Sequence, residues 1–292
     1  MKIAIYGKPF QNELNNEIAG ILDIIDKRGF EPVIYERYAR FLNQEGYLKS
    51  GYQTFNREDV EIKDYCCLVS IGGDGTLLDT VTLVRDSNVP IVGLNAGRLG
   101  FISSLSVDEL TEVLTCLENG DYEVDKRNLL QVETSRNVFG KLNFGLNEVT
   151  LHKKDTASMI KIETYVNNEF LNTYWADGLI ISTPTGSTAY SLSCGGPIIV
   201  PGSENFVITP IAPHNLNVRP VVVSNNVTLK LRADGRTDNL LLAIDSRPET
   251  IFPNEEIKVS KSPFTISLLK PKGHTFLNTM RNKLAWGFDK RN

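Results

Sequence analysis

The stretch Val69-Ser70-Ile71-Gly72-Gly73-Asp74-Gly75-Thr76-Leu77-Leu78-Asp79 constrains this chain more than any other. An apolar run of strand length, Cys66 to Ile71, stops at two glycines. Leu77, Leu78, Val81 and Val84 then recur at helical spacing. The pattern predicts a strand, a tight glycine turn and a helix start. Glycines let the backbone approach a ligand closely, and the unpaired N–H groups of a helix's first turn favour an anion such as phosphate. Gly72, Gly73, Gly75 and Thr76 are therefore the candidate phosphate-binding residues. Asp74 would repel a bare phosphate. A lone carboxylate beside phosphate donors suits a hydroxyl acceptor instead, and the pair suggests phosphoryl transfer to an alcohol. The plainer alternative makes Asp74 and Thr76 capping residues of an ordinary turn. The stretch lacks the Gly-Lys-Ser/Thr of a P-loop and is not the Gly-x-Gly-x-x-Gly dinucleotide fingerprint.

At 292 residues the chain has room for roughly two domains. Apolar strands at Lys2 to Tyr6, Glu31 to Tyr35, Cys66 to Ile71 and Pro90 to Asn95 alternate with helical stripes. One stripe is Leu14, Ile18, Ile21, Leu22 and Ile25; another, capped at Ser106, is Leu110, Val113, Leu114 and Leu117. This predicts an α/β domain over 1–122 with a parallel sheet and ligands at the strands' C-terminal ends. Residues 36–63 have weak periodicity and are expected to be a mobile helix or loop. From 123 to 271 the pattern changes to period-2 runs, such as Val227-Thr228-Leu229-Lys230-Leu231, separated by turn residues. A second, mostly antiparallel β domain follows. In 272–292, Phe276, Leu277, Met280 and Leu284 share a helical face that is expected to pack back onto the first domain.

A net charge of -4 argues against nucleic acid as partner. No apolar run reaches the ~20 residues of a membrane span, and the start is read as a strand rather than a signal peptide, so the expected location is the cytoplasm. Cys66, Cys67, Cys116 and Cys194 have neither metal-ligand nor disulfide-framework spacing. His152, His214 and His274 are too scattered for a metal site.

Two further constellations stand out. Asn147-Glu148 lies inside a β run, where neighbours face opposite sides. An amide and a carboxylate there suit sugar hydroxyls, unless a bulge exposes both. Trp175 to Pro197 runs from Asp177-Gly178 through a strand into Thr183-Pro184-Thr185-Gly186-Ser187-Thr188-Ala189-Tyr190. Its density of hydroxyls suits a neutral polar ligand such as an adenine or amide edge; the alternative is a Ser/Thr-rich surface loop. It is not the Gly-x-Ser-x-Gly elbow of a serine hydrolase. On one strand, residues 175 and 177 would face the same side, so Trp175 is expected to flank whatever Asp177 binds.

Taken in order and spacing, Gly72-Gly73-Asp74-Gly75-Thr76, Asn147-Glu148, and Asp177-Gly178 leading into Thr183 to Tyr190 resemble the NAD kinase family. Phe276 to Trp286 looks like that family's C-terminal helix, and the resemblance runs from about residue 66 to 287. It implies transfer of the γ-phosphoryl of ATP to the 2′-hydroxyl of the adenosine ribose of NAD. It also implies a divalent cation, usually Mg2+, carried with the ATP phosphates, and a homodimer or homotetramer formed through the β domain. By resemblance Asp74 is the general base and touches NAD together with Gly75. Asn147 and Glu148 hold sugar hydroxyls. Trp175, Asp177, Thr188, Ala189, Tyr190, Ser191, Leu192, Ser193, Ala212 and Arg247 line the dinucleotide pocket. Asp245-Ser246-Arg247 matches a late NAD-contacting stretch of the family, with Arg247 where some members have glutamine, and Trp175 replaces an arginine of many bacterial members. A lipid kinase shares the glycine turn, but the following helix lacks that group's Glu-Val-x-Asn-Gly run. A dinucleotide sensor without activity would have no need of Asp74.

Overall fold

The structure, a computed structural model, describes residues 1–9, 15–48, 51–57, 62–95, 100–154, 158–271 and 273–286. The chain forms two compact units, one of residues 1–126 with 266–292 and one of residues 127–265. The first unit thus ends at Lys126, and it also takes in the tail from Ile266, inside the stretch expected to be wholly β domain.

In the first unit the elements run β1 (Lys2–Gly7), α1 (Asn15–Lys27), β2 (Glu31–Tyr35), α2 (Glu36–Gln44), β3 (Gln53–Phe55), β4 (Cys67–Ile71), α3 (Asp74–Val84), β5 (Ile91–Asn95), β6 (Leu105–Ser106) and α4 (Leu110–Asn119). The sheet order β3-β2-β1-β4-β5 is parallel throughout, and β6 continues it beside β5. Every residue of β4 and β5 is buried, as expected for strands covered on both faces. After β1 the chain winds outward to β3, then returns to place β4 on the other side of β1. The reversal makes the C-terminal ends of β1 and β4 the switch point at which such sheets bind ligands. The glycine turn of residues 72–73 sits there, directly before α3.

The capping box at the head of the α4 segment forms as its sequence predicts, with Ser106 N–H donating to Glu109 at 2.6 Å. The segment 36–63 contains more order than its periodicity predicts. The helix α2 buries only Tyr38, Ala39 and Leu42, a stripe too thin to stand out in sequence, while Phe55 of β3 stacks on Tyr35 at 5.7 Å. Leu14 of the first stripe and residues 96–99 lie outside the described residues.

The last helix, α6 (Phe276–Leu284), is capped by Thr275 and belongs to the first unit. His274 Nε2 lies 3.1 Å from Glu109 Oε1, tying the helix entrance to the head of α4. Its apolar face is shallower than the sequence suggests. No residue of α6 is fully buried, and Leu277 is 53% exposed.

The second unit holds β7 (Glu123–Thr134) from Arg127 onward, then β8 (Phe144–Gly145), β9 (Glu148–Lys153), β10 (Ile160–Val166), β11 (Glu169–Ala176), β12 (Gly178–Ser182), a four-residue helix α5 (Tyr190–Ser193), β13 (Asn205–Ile211), β14 (Val221–Ser224), β15 (Leu229–Asp234), β16 (Leu240–Ile244), β17 (Arg247–Ile251) and the first part of β18 (Glu256–Lys270). One antiparallel sheet has the order β14-β13-β12-β9-β16-β17; in the other, β11, β10, β15 and β18 are neighbours. Alternation drives the packing: Ile160 and Ile162 are buried, while the intervening Lys161 turns outward to pair with Glu163 at 2.7 Å. Leu151, Leu179, Phe206 and Leu242 of the first sheet meet Ile162, Leu231 and Val259 of the second in one core. Among the described residues no helix is long and apolar enough to cross a membrane.

Candidate functional site

Each unit carries a cluster of sequence-predicted residues. In the first, Gly72 has φ +143, a conformation natural only to glycine, and a Cβ there would stand 2.5 Å from Thr76 Oγ1. Gly73 caps α3, its carbonyl accepting from Thr76 N–H at 2.9 Å and Leu77 N–H at 3.2 Å. The N–H groups of Gly73, Asp74 and Gly75 find no acceptor among the described residues, and the two glycines are exposed. This is the donor cluster that the sequence predicts for phosphate.

Asp74 is held from the far side of the turn. Its Oδ2 accepts from Phe101 N–H at 2.9 Å, and its Oδ1 accepts from Ile102 at 3.1 Å and Ser103 at 2.9 Å. Ser103 Oγ in turn donates to the Gly72 carbonyl at 2.8 Å. An added Cβ at Gly100 would lie 1.9 Å from Oδ1, so only glycine lets the loop close around the carboxylate. A carboxylate offers about four lone-pair positions. Three are taken, leaving one on Oδ2. Gly100 and the three amides escaped the sequence reading, because the grip comes from 27–29 residues away. Nearby, Tyr6 Oη donates to Asp79 at 3.3 Å and Lys8 Nζ lies 2.5 Å from the same carboxylate. Burial, then the Asp79 charge, pushes the Tyr6 hydroxyl up to about 12.

In the second unit, Asn147 and Glu148 are both buried at the head of β9. The structure brings them together with the turn after β12. Thr183 Oγ1 donates to the Leu146 carbonyl at 2.5 Å and Thr183 N–H to the Asn147 carbonyl at 2.9 Å. A Cβ on Gly186 would stand 2.1 Å from that same Asn147 oxygen. Buried Arg127 donates to Thr185 Oγ1 at 3.1 Å, and Ser187 Oγ accepts from Ile199 N–H at 2.9 Å. Asn147 Oδ1 and Glu148 Oε2 are buried without a hydrogen-bond partner. Such atoms cost free energy unless a ligand completes them. Burial first, then the nearby Asp245, raises the Glu148 carboxyl to about 8.

Asp177 lies at the opposite end of β12, where Gly178 pairs with Ile211 and His152, and its Oδ1 meets Lys153 Nζ at 2.6 Å. Between the two ends runs the segment 186–193. Thr188 is partly buried, Ser191 is buried with its Oγ 2.8 Å from Thr209 Oγ1, and Tyr190 is exposed. Ala189 and Leu192 are partly buried and Ser193 is exposed; Ala212, exposed and with φ +44, follows Ile211.

One expectation changes. Trp175 and Asp177 do not share a strand. The chain leaves one sheet at Ala176 and enters the other at Gly178, so the same-side argument fails. Trp175, 53% exposed, instead lines a shallow depression with Met159, Lys161, Asp234 and Arg236. Arg247 is turned to the backbone: Nη1 donates to the Leu142 carbonyl at 2.5 Å and Nη2 to that of Phe144.

The ATP-NAD kinase N-terminal domain matches residues 36–122 and the ATP-NAD kinase C-terminal domain residues 146–270. Curated NAD kinases from Flavobacterium johnsoniae and Flavobacterium psychrophilum are 46% and 45% identical, each over the whole of both chains. A crystal structure of yeast NADH kinase complexed with NADH superposes with a TM-score of 0.86 over 99% of this chain and 89% of that one; at 22% identity it speaks for the fold. An NAD kinase from Archaeoglobus fulgidus, solved in complex with ATP, gives 0.73 at 25% identity over 98% of each chain. With both domains matched and such identity over the full length, the chain belongs to the ATP-NAD kinase family.

Proposed function

We propose that this protein is an NAD kinase, transferring the γ-phosphoryl of ATP to the 2′-hydroxyl of the adenosine ribose of NAD to give NADP and ADP. The observation that carries the reading is the turn at Gly72–Thr76, where three unpaired N–H groups stand beside a carboxylate with one lone-pair position left. In the reaction the bond from the γ-phosphorus to its bridging oxygen breaks and a bond to the 2′-oxygen forms. The hydroxyl proton passes to Oδ2 of Asp74. Because phosphoryl transfer runs through a loose transition state, a rigidly oriented acceptor matters more than a strong base. The amides of 101–103 supply that rigidity. Gly72, Gly73, Gly75 and Thr76 form the phosphate cradle.

Asn147 and Glu148 grip ribose hydroxyls through their unpartnered oxygens. Asp177 and the 188–193 segment hold a more distant part of the dinucleotide. At ~3.3 Å per residue the strand β12 separates these groups by about 16 Å, which suits an elongated ligand. As the family resemblance implies, a divalent cation such as Mg2+ would enter with the ATP phosphates as part of the substrate. A homodimer or homotetramer formed through the β unit follows from the family resemblance alone, and the cytoplasm from the sequence reading.

A coupled assay of NADP formation from NAD and ATP tests the reading; a purified chain that binds NAD yet forms no NADP would return it to the sensor class. The match to both family domains favours it over a lipid kinase. A sharper test is Gly100→Ala, whose methyl meets Asp74 Oδ1 at 1.9 Å and the Ser103 carbonyl at 3.0 Å. Turnover should fall at least about tenfold while NAD affinity holds within a few-fold, since an ångström of misplacement suffices for such a loss. Steady-state kinetics beside calorimetric titration of NAD measure both.

A further inference from the structure

Asp245, two residues before Arg247, has no role of its own assigned above, yet its side chain is only 3% exposed. It sits with Ser246 in the tight turn joining β16 to β17, in the left-handed region at φ +51. Its Oδ2 accepts from Leu146 N–H at 3.0 Å, and its Oδ1 from Asn147 at 2.8 Å and Glu148 at 3.1 Å. Its own N–H donates back to the Glu148 carbonyl at 2.9 Å. Four hydrogen bonds therefore clamp one turn onto three consecutive residues, two of which carry the orphaned oxygens.

The surroundings are built to admit this clamp. A Cβ at Gly145 would stand 2.6 Å from Ile244 Cγ2 and 3.1 Å from Asp245 Oδ1, so the approach needs glycine. Arg247, 3.9 Å from Asp245 Oδ2, fixes the preceding backbone through the Leu142 and Phe144 carbonyls. Pairing of Ile244 with Val149 continues the register into β9. The strand alone leaves the backbone of 146–147 free to bend, since β9 begins only at Glu148.

We propose that Asp245 is a positioning residue of the dinucleotide pocket: its carboxylate fixes the backbone of 146–148 so that the Asn147 amide and Glu148 carboxyl face the ribose hydroxyls of NAD. Arg247 supports the clamp from behind. The inference rests on the reading that Asn147 and Glu148 hold NAD.

Asp245→Asn is the test. Asparagine tolerates the left-handed turn and keeps the volume, but it has one acceptor oxygen where three N–H groups need two. The KM for NAD should rise about tenfold or more, while the KM for ATP stays close to wild type. A general loosening of the fold would move both KM values together. If the Asn variant does not fold, Asp245→Gly, which keeps the turn and admits water, takes its place. Unchanged NAD kinetics, equal changes for both substrates, or failure of both variants to fold would each overturn the proposal. Asn147→Ala run alongside separates the two layers. If it leaves the NAD KM unchanged, the underlying reading fails; if it raises that KM and Asp245→Asn does not, only the clamp fails.

Discussion

Replacing Asp74 by Asn is expected to lower turnover at least ~10²-fold, the usual worth of a positioned proton acceptor. The change does two things. It removes the group proposed to take the hydroxyl proton, and it replaces one of two acceptor oxygens with an amide donor. That donor faces the N–H groups of Phe101, Ile102 and Ser103, which now meet a carboxylate at 2.9–3.1 Å. At least one amide loses its partner, at a cost of about 1–3 kcal/mol. The loop 100–103 should loosen, and hydrogen exchange at these three amides should quicken. NAD affinity should move by less than about tenfold, because Asn147 and Glu148, proposed to hold the ribose, are untouched. Ser103→Ala separates the two effects, since it removes only the 2.8 Å bond to the Gly72 carbonyl and leaves the carboxylate in place. Near-normal turnover in the Asn variant would show that Asp74 is a loop anchor and nothing more. A loss in Ser103→Ala as deep as in Asp74→Asn would show that loop order, not the acceptor, limits the reaction.

This double duty of Asp74 marks what the sequence could and could not reveal. The strand, glycine turn and helix start are local: three glycines, a carboxylate and a helical stripe lie between Val69 and Val84, and local propensity agrees with the fold. The alternation of Ile160-Lys161-Ile162 is equally local, and so is the Ser106–Glu109 capping box. The clamps are not. Asp74 reaches its amides across 27–29 residues and Asp245 across 97–99. A carboxylate bound to backbone N–H groups selects no partner side chain, so nothing in the sequence of its partners marks them. Only glycines at the point of closest approach leave a trace, at Gly100 beside Asp74 and Gly145 beside Asp245. Trp175 failed for a related reason. Period-2 reasoning assumes that one strand continues, and here the chain changes sheets between Ala176 and Gly178. The shallow seat of α6 shows the same limit from another side, since an apolar stripe gives a helix its face but not the depth at which that face is buried.

Glu148→Gln should make the protein more stable at alkaline pH, although it removes a side chain of the pocket. The Glu148 carboxyl is raised from 4.5 to about 8, by burial first and the Asp245 charge second. Asp245 is itself raised by burial, against the pull of its three amide donors and Arg247, which favour its charged form. With its value at about 8, the Glu148 carboxyl keeps its proton at neutral pH. An acid whose folded value lies above its unfolded one contributes stability that is complete below pH 4.5 and is lost as pH rises to about 8, because the unfolded chain ionises first. A shift of that size corresponds to about 3–5 kcal/mol across the window. Glutamine cannot ionise, so that variant should lack this part of the slope. Urea unfolding of both proteins at several pH values between 4.5 and 8 reads the difference directly. It should widen steadily in favour of the variant, and parallel curves would mean that Glu148 titrates like an exposed carboxyl. The same proton matters to the chemistry. A neutral Glu148 can donate one hydrogen bond and accept another, which is what a ribose hydroxyl needs, whereas a carboxylate can only accept. In the proposed pocket, the stability lost by burying the acid is thus the cost of offering a ribose hydroxyl both a donor and an acceptor.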